Sequence, residues 1–328
     1  MKTTSMIRYF VAVVALSVMP QMAVAMRSSP DAEFERAMKK GAQARLEIRV
    51  VDDEGAPVSN ATVNVLFNML TPGGGEIVTA ATDTNGVAVA EGKTNVAIRY
   101  RVEKDGYYKS EGGMDMYNMS HRYEVKGGRW QPWGMQKEIV LRPVRRPQAI
   151  RVPCHDWLET KAINQWIGFD LEKYDFVAPV GNGKVRDFDV RFDWDGMYGS
   201  KHNGMAVTLR FNSDFAGGYY ANKTTWSKFT GVYCAKTNAV YSREFRYERY
   251  PVRDAQGRIV GGVGEKFDQS KVLVGRSRCV LDANGNLVSA RYFQISGLQF
   301  SGTPEGRAGI RFTAIYNPTP NDPNLEPK

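Results

Sequence analysis

ARLEIRVV, residues 44–51, sets Leu46, Ile48 and Val50 against Arg45, Glu47 and Arg49. Successive side chains of an extended chain point to opposite faces, so one face here is apolar and the other charged. That predicts a half-buried β-strand. The same alternation recurs through the first half, at 61–67 (Ala61, Val63, Val65, Phe67), 87–90, 96–102 and 137–142. In the second half it predicts strands at 186–193, 205–211, 229–235, 240–249, 258–263, 272–281, 287–295 and 309–316.

A turn device joins these runs. Asp52-x-x-Gly55, Asp83-x-x-Gly86, Asp254-x-x-Gly257 and Asp282-x-x-Gly285 each precede an apolar or alternating stretch. The Asp side chain bonds its own backbone, and the Gly takes the positive φ that lets the next strand begin. Helical patterning is confined to 29–41, with Ser29 as N-cap, Pro30 at the first helical position and Lys39 and Lys40 before Gly41. This helix is expected to pack loosely or act as a spacer.

The fold class is therefore all-β, with two tandem β domains. Pro143, Pro147 and Pro153 punctuate a basic stretch that suits an extended linker. The expected organisation is a leader at 1–25, a short helix or spacer at 26–42 and a sandwich at 43–143. A Pro/Arg linker follows at 144–153, then a larger antiparallel β domain at 154–317. The tail at 318–328 carries four prolines and is expected to be disordered or extended.

The first 25 residues read as a secretory signal peptide. Lys2 and Arg8 precede an apolar run ending at Val18, and Ala23-Val24-Ala25 is a small-x-small cleavage site. The run is shorter than the roughly 20 residues of a membrane-spanning helix, so no transmembrane anchor is expected. The mature chain is expected to begin near Met26, in a periplasmic, surface or extracellular location. The formal net charge of +9 falls by two when Lys2 and Arg8 are removed. The excess is mild and interspersed, and no nucleic-acid partner is expected.

An oxidising compartment would permit one disulfide among Cys154, Cys234 and Cys279. Three pairings are open. Cys234–Cys279 is preferred, because both lie in strand-like runs of one domain.

The candidate chemistry is thin. Asp282-Ala-Asn284-Gly-Asn286 opens like a calcium loop but has Phe293 where the twelfth-position Glu belongs. Asp193 and Asp195 share one face of an extended segment, and a solvated turn explains them. Cys154-His155-Asp156 places neighbours on opposite faces, so they cannot form a nucleophile–base pair with each other. No metal site, cofactor or catalytic residue is expected. The aromatic-rich stretch 106–133 is the one candidate ligand surface. Tyr107, Tyr108, Tyr117, Trp130 and Trp133 are the predicted contacts, and the competing reading is that the two tryptophans close one end of a sandwich.

Residues 45–142 resemble the carboxypeptidase-regulatory-like, transthyretin-like domain. The match is carried by RLEIRVVDDEGAPVSNATVNV (45–65), TDTNGVAVA (82–90), VAIRYRVEKDGYYKSEG (96–112) and EIVLRPV (138–144). Asp53, Gly55, Pro57, Val58, Ala61, Val63, Asp83, Gly86, Gly106 and Tyr107 fit its pattern. The resemblance implies a seven-stranded Ig-like sandwich used as an accessory module, with structural rather than catalytic positions. The insertion 108–135 departs from it. Residues 166–192 are similar to segments of uncharacterised exported bacterial proteins.

Together these readings predict an exported, non-enzymatic binding or adhesion protein of the envelope or extracellular space, with a glycan or envelope component as partner. The alternatives are a secreted carbohydrate-active enzyme with an accessory sandwich, and a purely structural envelope component.

Overall fold

A computed structural model describes residues 30–70, 74–118, 121–152, 156–194, 204–224 and 227–328. The expected signal peptide, the expected Ser29 cap, Cys154, His155, Asp195 and the sequence around His202 lie outside the described residues. Pro30–Lys40 is the one helix among those described, and the rest is strand and turn. No helix of the described residues is long and apolar enough to cross a membrane.

The Ala42–Val51 strand is the centre of the first domain. Val87–Thr94 pairs antiparallel with one of its edges. Met135–Val140 runs parallel along the other, and Arg129–Gln131 extends that contact at Gln43. A second, antiparallel sheet has the order Glu76–Ala81, Thr62–Asn68, Ala97–Glu103, Ser110–Asp115. The two sheets enclose one core, in which Leu46, Ile48 and Val50 meet Val63, Val65, Phe67, Ile98 and Val102. The alternation predicted for 44–51 is the alternation observed.

The helix does not pack loosely. Phe34 and Ala37, three apart and so on one face, are buried in this core. Glu33 accepts a hydrogen bond from the Gly127 N–H at 2.7 Å.

The second domain is a larger sandwich of two six-stranded sheets. Its core is built from phenylalanines of both sheets, with Phe169 stacked on Phe188 at 5.1 Å and Phe211 on Phe293 at 6.0 Å. Its neighbouring strands pair antiparallel throughout the described residues.

All four Asp-x-x-Gly turns form as predicted. In each, one Asp carboxylate oxygen accepts the N–H groups two and four residues on, as Asp52 does from Glu54 and Ala56 at 2.9 Å. A fifth such turn, Thr303 to Arg307 with Gly306 at positive φ, uses a threonine hydroxyl and escapes the Asp pattern.

Two segments differ from expectation. Residues 229–235 form no strand beyond isolated contacts, because their backbone groups are divided among Arg142, Gln294 and the C-terminal segment at Pro323 and Leu325. The tail is extended but docked: Leu325 and Glu326 are buried, and Pro327 bridges Ala149 in parallel.

Candidate functional site

The five predicted aromatic contacts are not brought together. Trp130 is a correction: its ring is fully buried, its Nε1–H donates to the Thr94 carbonyl at 2.9 Å, and Phe34 meets it edge-on at 5.9 Å. A ring enclosed by its own helix and sheet offers no face to a ligand. Tyr117 also meets Phe34, with ring centroids 5.9 Å apart. Trp133 lies under the Arg129 guanidinium at 4.8 Å, in partial exposure. Tyr107 sits beside Lys104, where Tyr107–Tyr108 pairs with Arg142–Pro143.

Tyr108 belongs to the joint between the domains. Its ring packs on the fully buried Phe229 at 5.3 Å. Its hydroxyl donates to Glu326 at 3.0 Å. Burial and the Glu326 carboxylate push the phenol above its ordinary pKa, which keeps the hydroxyl a donor. Glu326 also accepts the backbone N–H groups of Arg145, at 2.7 Å, and Arg146. Beside it, the buried Arg142 guanidinium lies between Phe229 (4.3 Å) and Tyr233 (4.2 Å) and donates to the carbonyls of Phe229 and Gly231. Desolvation lowers the Arg142 pKa, and two carbonyls with two ring faces compensate the buried charge.

This joint also completes a groove. Ser227 bridges Ser110, and the Lys228 N–H donates to the Lys109 carbonyl at 2.8 Å. A second-domain segment thus lines the outer edge of the first domain's four-stranded sheet. Against it, the outward face of that sheet forms a groove of about 830 Å³. The pairings Ile77–Leu66–Arg99 and Asn64–Arg101–Glu111 run across its floor, from apolar at one side to charged at the other. Arg99 pairs with Asp115 at 2.7 Å, Arg101 with Glu103 at 2.6 Å, and Lys228 with Glu111 at 3.6 Å. Ile77 remains 65% exposed. A trough with an apolar strip and laddered charges can hold a ligand by shape and hydrogen bonds.

A second polar cluster lies inside the larger sandwich. Arg278, at a positive φ in a bulged strand, grips Asp187 through Nε and Nη2 at 2.9 and 3.0 Å, Asp170 at 3.2 Å and Glu172 at 2.9 Å. Three carboxylates in one place suggest acid–base work, but the buried pair is saturated. Asp170 also accepts the N–H groups of Glu172, Lys173, Lys184 and Val185, and Asp187 accepts from Leu171 and Ser277. With those oxygens engaged, the cluster is a brace between the sheets. Asp193 is likewise held, by Arg191 at 2.6 Å and Arg246 at 2.5 Å. Among the described residues no group of three metal-ligating side chains forms.

The preferred disulfide is a second correction. Cys234 and Cys279 are both free thiols. Cys234 is exposed, on a segment bridged to Asn324, whereas Cys279 sits half-buried in the bulged strand next to Arg278.

No protein-family model matches the sequence, and no curated protein is similar to it. Among solved structures, a shaft pilin of Lactobacillus rhamnosus GG is 9% identical over 73% of this chain and 89% of its own, with a TM-score of 0.22. A DUF3823 family protein of Parabacteroides merdae is 10% identical over 88% and 100%, with a TM-score of 0.21. The 3-chlorocatechol 1,2-dioxygenase of Rhodococcus opacus is 13% identical at a TM-score of 0.25; the match covers 32% of this chain and spans 61% of the dioxygenase. Scores this low carry no argument about activity.

Proposed function

We propose that this protein is an exported, non-enzymatic binding protein of the cell envelope, and that the groove at the domain joint is where it holds a glycan. The observation that carries the reading is the groove itself. It is roomy, open, floored by a rigid sheet and finished by residues of the second domain. The first domain acts as a carboxypeptidase-regulatory-like module, a reading supported by its two-sheet sandwich. Saturation of the Arg278 cluster favours binding over hydrolysis, because no buried carboxylate there is left to move a proton. Export rests on the leader sequence.

A pull-down of the mature protein with purified envelope polysaccharide tests the reading. Arg101→Ala with Lys228→Ala should lower retention several-fold at unchanged melting temperature. Retention unaffected by that pair, or a natural chain that still begins at Met1, would overturn it.

A further inference from the structure

The second sandwich has a cleft of its own, about 380 Å³, at one open end. The Leu287–Gly302 strand slips register between Ser296 and Gln299 there, with Gly297 at positive φ. The slip brings Leu298 and Phe300 to the cleft, beside the buried Phe267. Trp157 forms a wall. Arg311 stands over its ring at 5.0 Å and donates to Gln299 at 2.8 and 3.0 Å, so ring and amide are held together.

Two cations face this aromatic lining. Phe245 and Tyr247 are buried in the sandwich, and the two-residue alternation carries Arg249 from the same face to its open end. Lys266 precedes Phe267 on the adjoining segment. Neither has a carboxylate partner among the described residues, and no Asp or Glu lines the cleft. The contrast is close by: Arg246, on the same strand, is matched by Asp193 and Glu248. Rings beside two unmatched cations and the amides of Gln269 and Gln299 make a surface for something flat, hydroxylated and negative.

We propose that this cleft binds an acidic saccharide, a sugar ring bearing a carboxylate. The apolar C–H face of the ring lies against Trp157 and Phe300. The carboxylate lies between Arg249 and Lys266, where charge-assisted hydrogen bonds are about twice as strong as neutral ones. The volume falls near the lower end of ligand sites and suits one or two sugar rings. The site is independent of the groove at the domain joint.

Calorimetric titration of the full mature chain tests the assignment, with trigalacturonate, the neutral galactotriose and a pyrimidine trinucleotide as probes. Trigalacturonate should bind, and the neutral trisaccharide should bind about tenfold more weakly or worse. Arg249→Ala and Lys266→Ala, both exposed and so compatible with folding, should each cost about tenfold at unchanged melting temperature, as expected for one lost charge-assisted bond. Arg101→Ala with Lys228→Ala should leave this affinity intact, which separates this site from the groove. Four results would each overturn the proposal: no binding of trigalacturonate at millimolar concentration, equal binding of the neutral sugar, full affinity in both Arg249→Ala and Lys266→Ala, or tighter binding of the trinucleotide.

Discussion

The Tyr108 hydroxyl donates to the Glu326 carboxylate at 3.0 Å, joining the first sandwich to a residue 218 positions later. Glu326 is buried and takes two further backbone donors from Arg145 and Arg146. Glu326→Ala leaves those N–H groups without their partner, at about 1–3 kcal/mol for each buried group left unsatisfied. Calorimetry should then split one unfolding transition into two, as the sandwiches uncouple. Tyr108→Phe removes one bond and keeps the ring on Phe229, so its effect should be smaller.

Trp130→Ala empties a fully buried site and removes the bond to Thr94. The expected loss is about 3–5 kcal/mol, read by chemical denaturation. Trp133→Ala, at a partly exposed ring, should cost far less. Equal losses would contradict the placement of the two rings.

Arg278→Met should be among the most damaging single changes, at about 3–5 kcal/mol, because it strands buried carboxylates. It should also alter the acid profile. Burial pushes the Asp170 carboxyl up, but the N–H groups of Lys184, Val185 and Lys173 and the Arg278 charge bring it below its ordinary range. A depressed carboxyl stabilises the fold above its unfolded pKa and loses that stability as pH falls through the folded value. The native protein should therefore weaken below about pH 4. The variant, whose Asp170 lacks the Arg278 charge, should be less stable at neutral pH but lose less stability on acidification, with that loss complete at a higher pH.

The turns allow a paired comparison. Gly86 and Gly285 both have positive φ, at 76° and 82°. A Cβ at Gly285 meets nothing, whereas one at Gly86 runs into the Val50 carbonyl. Gly285→Ala should cost about 1–2 kcal/mol from backbone strain alone, and Gly86→Ala clearly more, as separate melting curves would show.

Alkylation in the native state should label Cys234 readily and Cys279 slowly, since the first is exposed and the second half-buried. A native 234–279 cross-link found by peptide mapping would contradict both free thiols.

Much of the fold is legible because its strands are half-buried: alternation marked 44–51, 96–102 and 205–211, and the Asp turns marked four chain reversals. The Glu76–Ala81 edge strand escaped because its exposed pattern offers no clean apolar face. The joint escaped for a different reason. Pro318, Pro320, Pro323 and Pro327 read as a loose tail, yet proline restricts a chain without preventing it from docking, and the partners of Glu326 lie at Tyr108, Arg145 and Arg146. The candidate sites were invisible for the same reason. Trp157, Arg249, Lys266 and Phe300 converge only through sheet topology, whereas the tyrosines and tryptophans clustered at 106–133 disperse to four places.

The bridge between Ser110 and Ser227 has a consequence in time. During synthesis the first sandwich can close before the segment that lines its outer edge exists. At about 5–20 residues per second, the ribosome needs on the order of ten seconds to travel from Ser110 to Ser227. Through that interval Lys109 and Ser110, at the edge of the sheet, lack the backbone partners that Lys228 and Ser227 later supply, and unpaired edge groups are the template on which aggregates grow. Lys109, Glu111 and Asp115 place charges along that edge, so the strand carries its own protection until the second domain arrives.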